Sequence, residues 1–357
     1  MTLPYGILSG IVAGAALALA LGCTPESTAA IYPSADLSPP TLVEAGPRDE
    51  RSLLLRFDEA VKPVEGSFFV EPGADLSFRA EQSELIVSFG SDQSPGADYK
   101  LAGEVDDLRG NRARFLLNFT GWNARTPKLR LSEVQTGKNG AKTRPHRDYI
   151  ELEALSDGNL GGVELSWTST VKTSSYRFSG IELQTGDFVV LHLAPEGTAE
   201  EVDELGSDIG ASGGVDATPT ARDLWLADAP LPDESGAVSL ALRAGEAPID
   251  GFFYSAEGKS GPLGDDKLGT MLVTLSGAGL WPLSGAAAQW EDGFRWKSSA
   301  SKSLCRWGDA KGPAGWYLSA SGAQTPGLAN PDPALAVASQ TKAVAKKLSK
   351  KVSTKRR

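Results

Sequence analysis

Between residues 41 and 122 apolar and polar side chains alternate. Leu53, Leu55 and Phe57 share one face of an extended segment, with Leu54, Arg56 and Asp58 on the other, and Phe115, Leu117 and Phe119 repeat the arrangement. The segments LSF, ELIVSF and DYKLAGEV lie between them, set apart by Gly, Pro and Asp turns. Short strands at this spacing over roughly 80 residues predict a small β-sandwich at 41–124. A second series opens after residues 122–127. KLRLSEV comes first, then RDYIELEAL, with Ile150 and Leu152 on one face and Tyr149, Glu151 and Glu153 on the other. GVELSW, SYRFSG, GDFVVLHLA, DLWLA, GAVSLAL, PIDGFFY and TMLVTL follow, each short and bounded by turn residues, and together they predict an all-β second domain at 125–331.

The two ends break the alternation. Residues 1–22 are apolar and uncharged and run into Cys23, which predicts an export segment. Its core from Ile7 to Leu21 suits a signal peptide and is short for a span of about 20 apolar residues. Gly22-Cys23 resembles a bacterial lipobox, in which the Cys23 thiol is acylated and becomes the N-terminus after cleavage. Ala20 and Leu21 stand where that pattern has Leu and a small residue, and no Lys or Arg precedes the core. An ordinary cleaved signal and an uncleaved anchor are the alternatives, and all three export the chain. Residues 23–40, rich in Pro, Ser, Thr and Ala, form a tether.

Residues 332–357 hold eight Lys or Arg and one Asp, a net +7 in a chain whose total is −10. Val337, Val344, Leu348 and Val352 fall on one helical stripe flanked by Lys346, Lys350 and Lys351. This tail reads as a disordered solubilising segment, as one that folds back on the acidic domains, or as a basic amphipathic helix. As a helix, Lys346, Lys347, Lys350, Lys351, Lys355, Arg356 and Arg357 would bind anionic lipid, an anionic envelope polymer or nucleic acid, more weakly in salt.

The first domain carries LLLRFDEAV, PGADY with Tyr99, DDLRGN with Asp107, Gly110 and Asn111, and FLLNF. It resembles bacterial Ig-like domains, in which these are core and turn positions. The Gly110-Asn111 pair serves a tight turn, since both residues tolerate positive φ. The second domain carries LSEV at 131–134, DYIEL at 148–152, GNLGGVEL at 158–165, YRF at 176–178 and LQTGDFVVLHL at 183–193. GAVSLAL at 236–242, PIDGFFY at 248–254 and QTPGLAN at 324–330 follow, with Arg306 and Trp316 upstream of the last. This order resembles the lamin tail domain, an Ig-like sandwich of nuclear lamins and exported bacterial proteins. Glu153-Ala154 replaces the Asn that often follows the second strand, and residues 195–225 and 255–303 exceed a minimal domain. Both resemblances imply tandem Ig-like β-sandwiches that act as recognition or spacer modules. Insertions emerge from a sandwich as loops, where binding is often placed, though solvated connections are the plainer reading.

Composition narrows the chemistry. Only two Cys and two His occur in 357 residues. His146, His192 and Cys305 give no zinc spacing, so no metal and no cofactor is expected, and no G-x-S-x-G elbow accompanies either His. Cys305 reads as a buried strand residue. The acids Glu200, Glu201, Asp203, Glu204 and Asp208, with Asp265 and Asp266, read as solvated loop charges. Among eight Trp, Trp281, Trp290 and Trp296 in the long insertion are the candidate sugar-stacking residues.

The resulting expectation is a non-enzymatic binding or scaffolding lipoprotein of the bacterial envelope, periplasmic or surface-exposed. It would be held to the membrane by the Cys23 lipid and would bind an envelope protein or polymer. A carbohydrate-binding or adhesive surface protein, and a hydrolase using loop carboxylates, are the alternatives.

Overall fold

The computed structural model describes residues 36–137, 148–193 and 195–334. The chain divides into two compact units, Met1–Ser38 and Pro39–Arg357, and every element below belongs to the second. The N-terminal segment with Cys23, His146 and the basic residues from Lys342 to Arg357 lie outside the described residues.

Eight strands come first: β1 (Leu42–Asp49), β2 (Ser52–Phe57), β3 (Val61–Pro63), β4 (Phe69–Glu71), β5 (Leu76–Glu81), β6 (Glu84–Phe89), β7 (Asp98–Asp107) and β8 (Arg112–Thr120). One sheet runs β1-β2-β6-β5; the other centres on β7, which pairs β8 along one edge and β3 and β4 along the other. The predicted alternation is realised, with Leu53, Leu55 and Phe57 buried against Leu85, Val87, Leu101 and Val105. Burying each such side chain contributes about 1.5–3 kcal/mol. Of the Gly110-Asn111 pair only Gly110 adopts positive φ, at 91°. Asn111 serves the turn differently, donating its side-chain amide and its backbone N–H to Asp107 at 2.8 Å each.

The rest comprises β9 (Leu129–Gln135), β10 (Tyr149–Ala154), β11 (Gly158–Asn159), β12 (Glu164–Thr168), β13 (Thr173–Arg177), β14 (Glu182–Leu183), β15 (Phe188–His192), β16 (Arg222–Trp225), β17 (Gly236–Ala241), β18 (Pro248–Ala256), α1 (Lys267–Gly277), β19 (Phe294–Trp296), β20 (Leu304–Arg306) and β21 (Trp316–Leu318). A six-stranded sheet β16-β15-β10-β9-β20-β21 faces a five-stranded sheet β13-β12-β17-β18-β19, and β11 pairs β14 apart from both. Leu131, Ile150, Leu152 and Leu191 pack with Leu165, Trp167, Val238, Leu240 and Phe252 in the core between the sheets. This core and that of the first sandwich share no buried member.

The two long insertions differ from the expected loops. Each is the crossover of a parallel strand pair, β15 with β16 and β18 with β19. Parallel neighbours cannot be joined by a tight turn, which accounts for the extra length. The second crossover holds α1, so the run TMLVTL is helical and not a strand. Leu268, Leu272 and Leu275 recur at helical spacing and are buried, and Asp266 caps the helix by accepting the Gly269 N–H at 2.9 Å. The helix covers the outer face of its sheet at Gly251, where a Cβ would stand 2.3 Å from Leu275 Cδ2.

Candidate functional site

The six-stranded sheet has two buried faces, and the outer one gathers the polar residues that matter. Glu133 on β9 and Glu151 on β10 are cross-strand partners with no exposed surface. Their cover is the closing segment at 324–330. Thr325 donates its N–H and its hydroxyl to Glu133 Oε2 at 3.1 and 3.0 Å, and Gly327 N–H donates to Glu151 Oε2 at 2.6 Å. Asn330 Nδ2 donates to the Ser132 carbonyl at 2.9 Å. Gly327 has φ of +76°, and a Cβ there would meet Thr218 and Thr220, so only glycine fits. Glu151 Oε1 is buried without a partner.

Burial drives the electrostatics of this face. It raises the carboxyl of Glu133 above the ordinary carboxylate range, and raises that of Glu151 well above it, where the Glu133 charge adds to the effect. Tyr149, beside them, is pushed up by burial and then by both acids. Cys305 stands opposite Glu133 on β20, fully buried as expected, and burial raises its thiol far from the reactive range.

Farther along, β15 and β16 bring His192 and Asp223 together, with Nε2 to Oδ1 at 2.8 Å in a buried contact. His192 shares its face with Val190 as the alternation implies, and its ring stacks on Trp225 at 3.9 Å. Asp223 also accepts the Thr218 N–H at 2.9 Å, and its own N–H goes to Glu204 Oε2 at 2.8 Å. At the other end Asp250 on β18 bridges the sheets: it accepts the Leu131 N–H at 2.8 Å and lies 3.4 Å from Arg306 Nη1.

The acids of the first insertion are therefore not simply solvated. Glu201 accepts the N–H groups of Glu196, Gly197 and Thr198; Asp203 accepts that of Trp225; buried Glu204 accepts those of Ser212 and Asp223. Carboxylates that bind nearby amides fold a Gly-rich segment that has few apolar residues to do so. This built crossover borders an open cleft of about 690 Å³, whose lining includes Arg125, Glu182, Leu205 and Arg222.

The tryptophan expectation requires correction. Trp281 and Trp296 are each 1% exposed. Their indole N–H groups donate to the carbonyls of Asp292 and Glu234, and their rings pack edge-on against Phe252 and Tyr254. A large ring with one satisfied donor is stable in a core, and these two cannot form a sugar platform. Trp290 is partly buried, with Lys259 Nζ 4.1 Å from its ring centre. The three do not form a common surface.

Sequence reasoning gave no role to Glu133, Glu151, Asp223 or Asp250, although all four lie inside the quoted segments. The available signal was an acid repeated at equivalent places in two adjacent strands, LSEV and YIEL, with the Thr and Gly N–H groups of a TPG turn to donate to them.

Residues 127–352, well over half of the chain, match the family described as "protein second domain" (TP_1001_2nd). The chain belongs to this family. An uncharacterized protein of Treponema pallidum (strain Nichols) is 27% identical over 155 residues, covering 43% of this chain and 38% of the relative. The aligned part thus spans well under half of that protein. The match to the second-domain family begins just before β9 and takes in both sheets of the second sandwich, including Glu133, Glu151 and the closing turn.

Proposed function

We propose that the protein is a non-catalytic binding module of the bacterial envelope, held to a membrane by lipid at Cys23 and displayed on the 23–40 tether. The observation that carries this reading is the construction of the first crossover. Its acids are anchored to backbone amides, so it frames the adjoining cleft as a shaped wall. Recognition surfaces are commonly loops held by a rigid scaffold. The hydrolase alternative needs two free acids converging on a cleft, whereas the loop acids Glu201, Asp203 and Glu204 and the cleft-lining Asp157, Glu182 and Asp187 each accept hydrogen bonds from within the chain.

The lamin-tail-like reading of 125–331 is part of this proposal. It is supported by the way the residues of the motifs LSEV, DYIEL and TPGLAN meet in one hydrogen-bonded set. A basic tail that reaches anionic lipid or polymer through Lys346, Lys347, Lys350, Lys351, Lys355, Arg356 and Arg357 fits the same arrangement. The test is metabolic labelling with a palmitate analogue, followed by membrane fractionation. Label in the membrane fraction, lost in Cys23→Ser, is the expected result; an unlabelled soluble protein would remove the anchor from the account.

A further inference from the structure

The unassigned chemistry of the cleft centres on Arg222. This residue opens β16, lines the cleft and is 8% exposed. Its Nη1 donates to the carbonyl oxygens of Glu204, at 2.6 Å, and Gly206. Its Nε is buried without an acceptor, and among the described residues no carboxylate forms an ion pair with it. A guanidinium nine-tenths buried and bonded only to carbonyls is costly to maintain without an anion.

The acids that line the same cleft are engaged elsewhere. Asp157 accepts the Thr185 N–H and hydroxyl at 2.8 Å, and these bonds hold it below its usual range. Glu182 accepts Asn159 Nδ2 at 2.9 Å and pairs with Arg125. Asp187 accepts the Gln184 N–H at 2.7 Å. These charges disfavour a dianionic phosphate and leave room for a single negative charge at Arg222. Leu205 and Ile209, 50% and 38% exposed, supply an apolar wall beside it.

We propose that this cleft binds the free carboxylate end of a short peptide whose terminal side chain is apolar. Arg222 receives the carboxylate, for which a planar guanidinium is the suited partner, and Leu205 and Ile209 cover the side chain. The proposal rests on the binding-module reading and names its ligand class.

The test is titration of the full chain with acetyl-Ala-Ala-Leu as free acid and as amide, by calorimetry, with inorganic phosphate as competitor. The free acid is expected to bind at least tenfold more tightly than the amide, with phosphate failing to displace it. Arg222→Gln should abolish the preference. Because Arg222 also ties down two carbonyls, Gly206→Phe serves as the second variant. Gly206 lines the cleft and a Cβ there has nothing within 4 Å, so a side chain can be placed at this position without a backbone clash. Gly206→Phe should keep the wild-type circular dichroism and lose peptide binding. Equal binding of acid and amide, displacement by phosphate, or intact binding in Gly206→Phe would each overturn the inference. If no peptide binds but a cross-linker at Leu205 still captures a partner in cells, the ligand class is wrong and the binding module stands. If both fail, both readings fall.

Discussion

Glu133 on β9 and Glu151 on β10 face each other across adjacent strands, both without exposed surface, and the N–H groups of Thr325 and Gly327 seal them in. The pair makes stability depend on pH in a definite direction. Burial raises both carboxyls above their ordinary value of 4.5, so the folded chain keeps protons that the unfolded chain releases. This contribution is fully present below that value. It is lost as pH rises from there through the elevated range. Urea unfolding of the wild type from pH 5 to 8 should therefore show a falling midpoint, and Glu151→Gln should flatten the fall. An amide keeps an acceptor for Gly327 and offers a donor where Oε1 has no partner. An equally steep fall in the variant would show that another group is responsible.

Removing the carboxylate altogether has a different effect. Glu151→Ala leaves the Gly327 N–H buried without its acceptor, at a cost of about 1–3 kcal/mol. It should also loosen the closing turn, read as faster amide exchange at Thr325 and Gly327. Unchanged exchange there would mean that the turn is held by other contacts.

Asp223 gathers His192 Nε2 and the Thr218 N–H. Asp223→Ala is expected to destabilise the chain by roughly 1–3 kcal/mol, since the buried His192 and the part-buried Thr218 N–H lose their acceptor together. Trp225 stacks on His192, so its fluorescence should change in the folded variant. A loss within experimental error, with unaltered fluorescence, would contradict the network.

Much of the fold was legible because alternation marks strands with one buried face. Leu53, Leu55 and Phe57 on β2, and Ile150 and Leu152 on β10, occupy the core as their spacing implied. The second buried face was not legible. Alternation places Tyr149 and Glu151 on the face opposite Ile150 and Leu152, and what buries Glu151 there is a segment far along the chain, at 324–330. TMLVTL, as a short apolar run, fits both periods; Leu268 just before it and the cap at Asp266 decide for a helix. Trp281 and Trp296 sat in an insertion that looked like a loop, and the parallel pairing that turns it into a crossover depends on strands distant in sequence.

The junction between the sandwiches offers another test. Pro95-Gly96 meets Gly161-Gly162 so closely that a Cβ on Gly161 would stand 2.3 Å from the Pro95 carbonyl oxygen. Across the same junction Asn123 Nδ2 donates to the carbonyls of Asn159 and Gly161, and Arg177 pairs with Asp98. Gly161→Ala should cost about 1–3 kcal/mol by overpacking. Calorimetry should then resolve two transitions, one per core. A single wild-type-like transition would mean that the backbone accommodates the methyl group.

The central claim is that the built crossover presents a recognition surface. Photo-cross-linking in the cells that make the protein tests it most directly, with the photoreactive side chain at Leu205 beside the cleft, and at Leu108, 68% exposed in the β7–β8 turn, as comparison. The account predicts a discrete adduct from Leu205, absent from Leu108 and diminished in Gly206→Phe. No adduct from Leu205, or the same adduct from both positions, would contradict it.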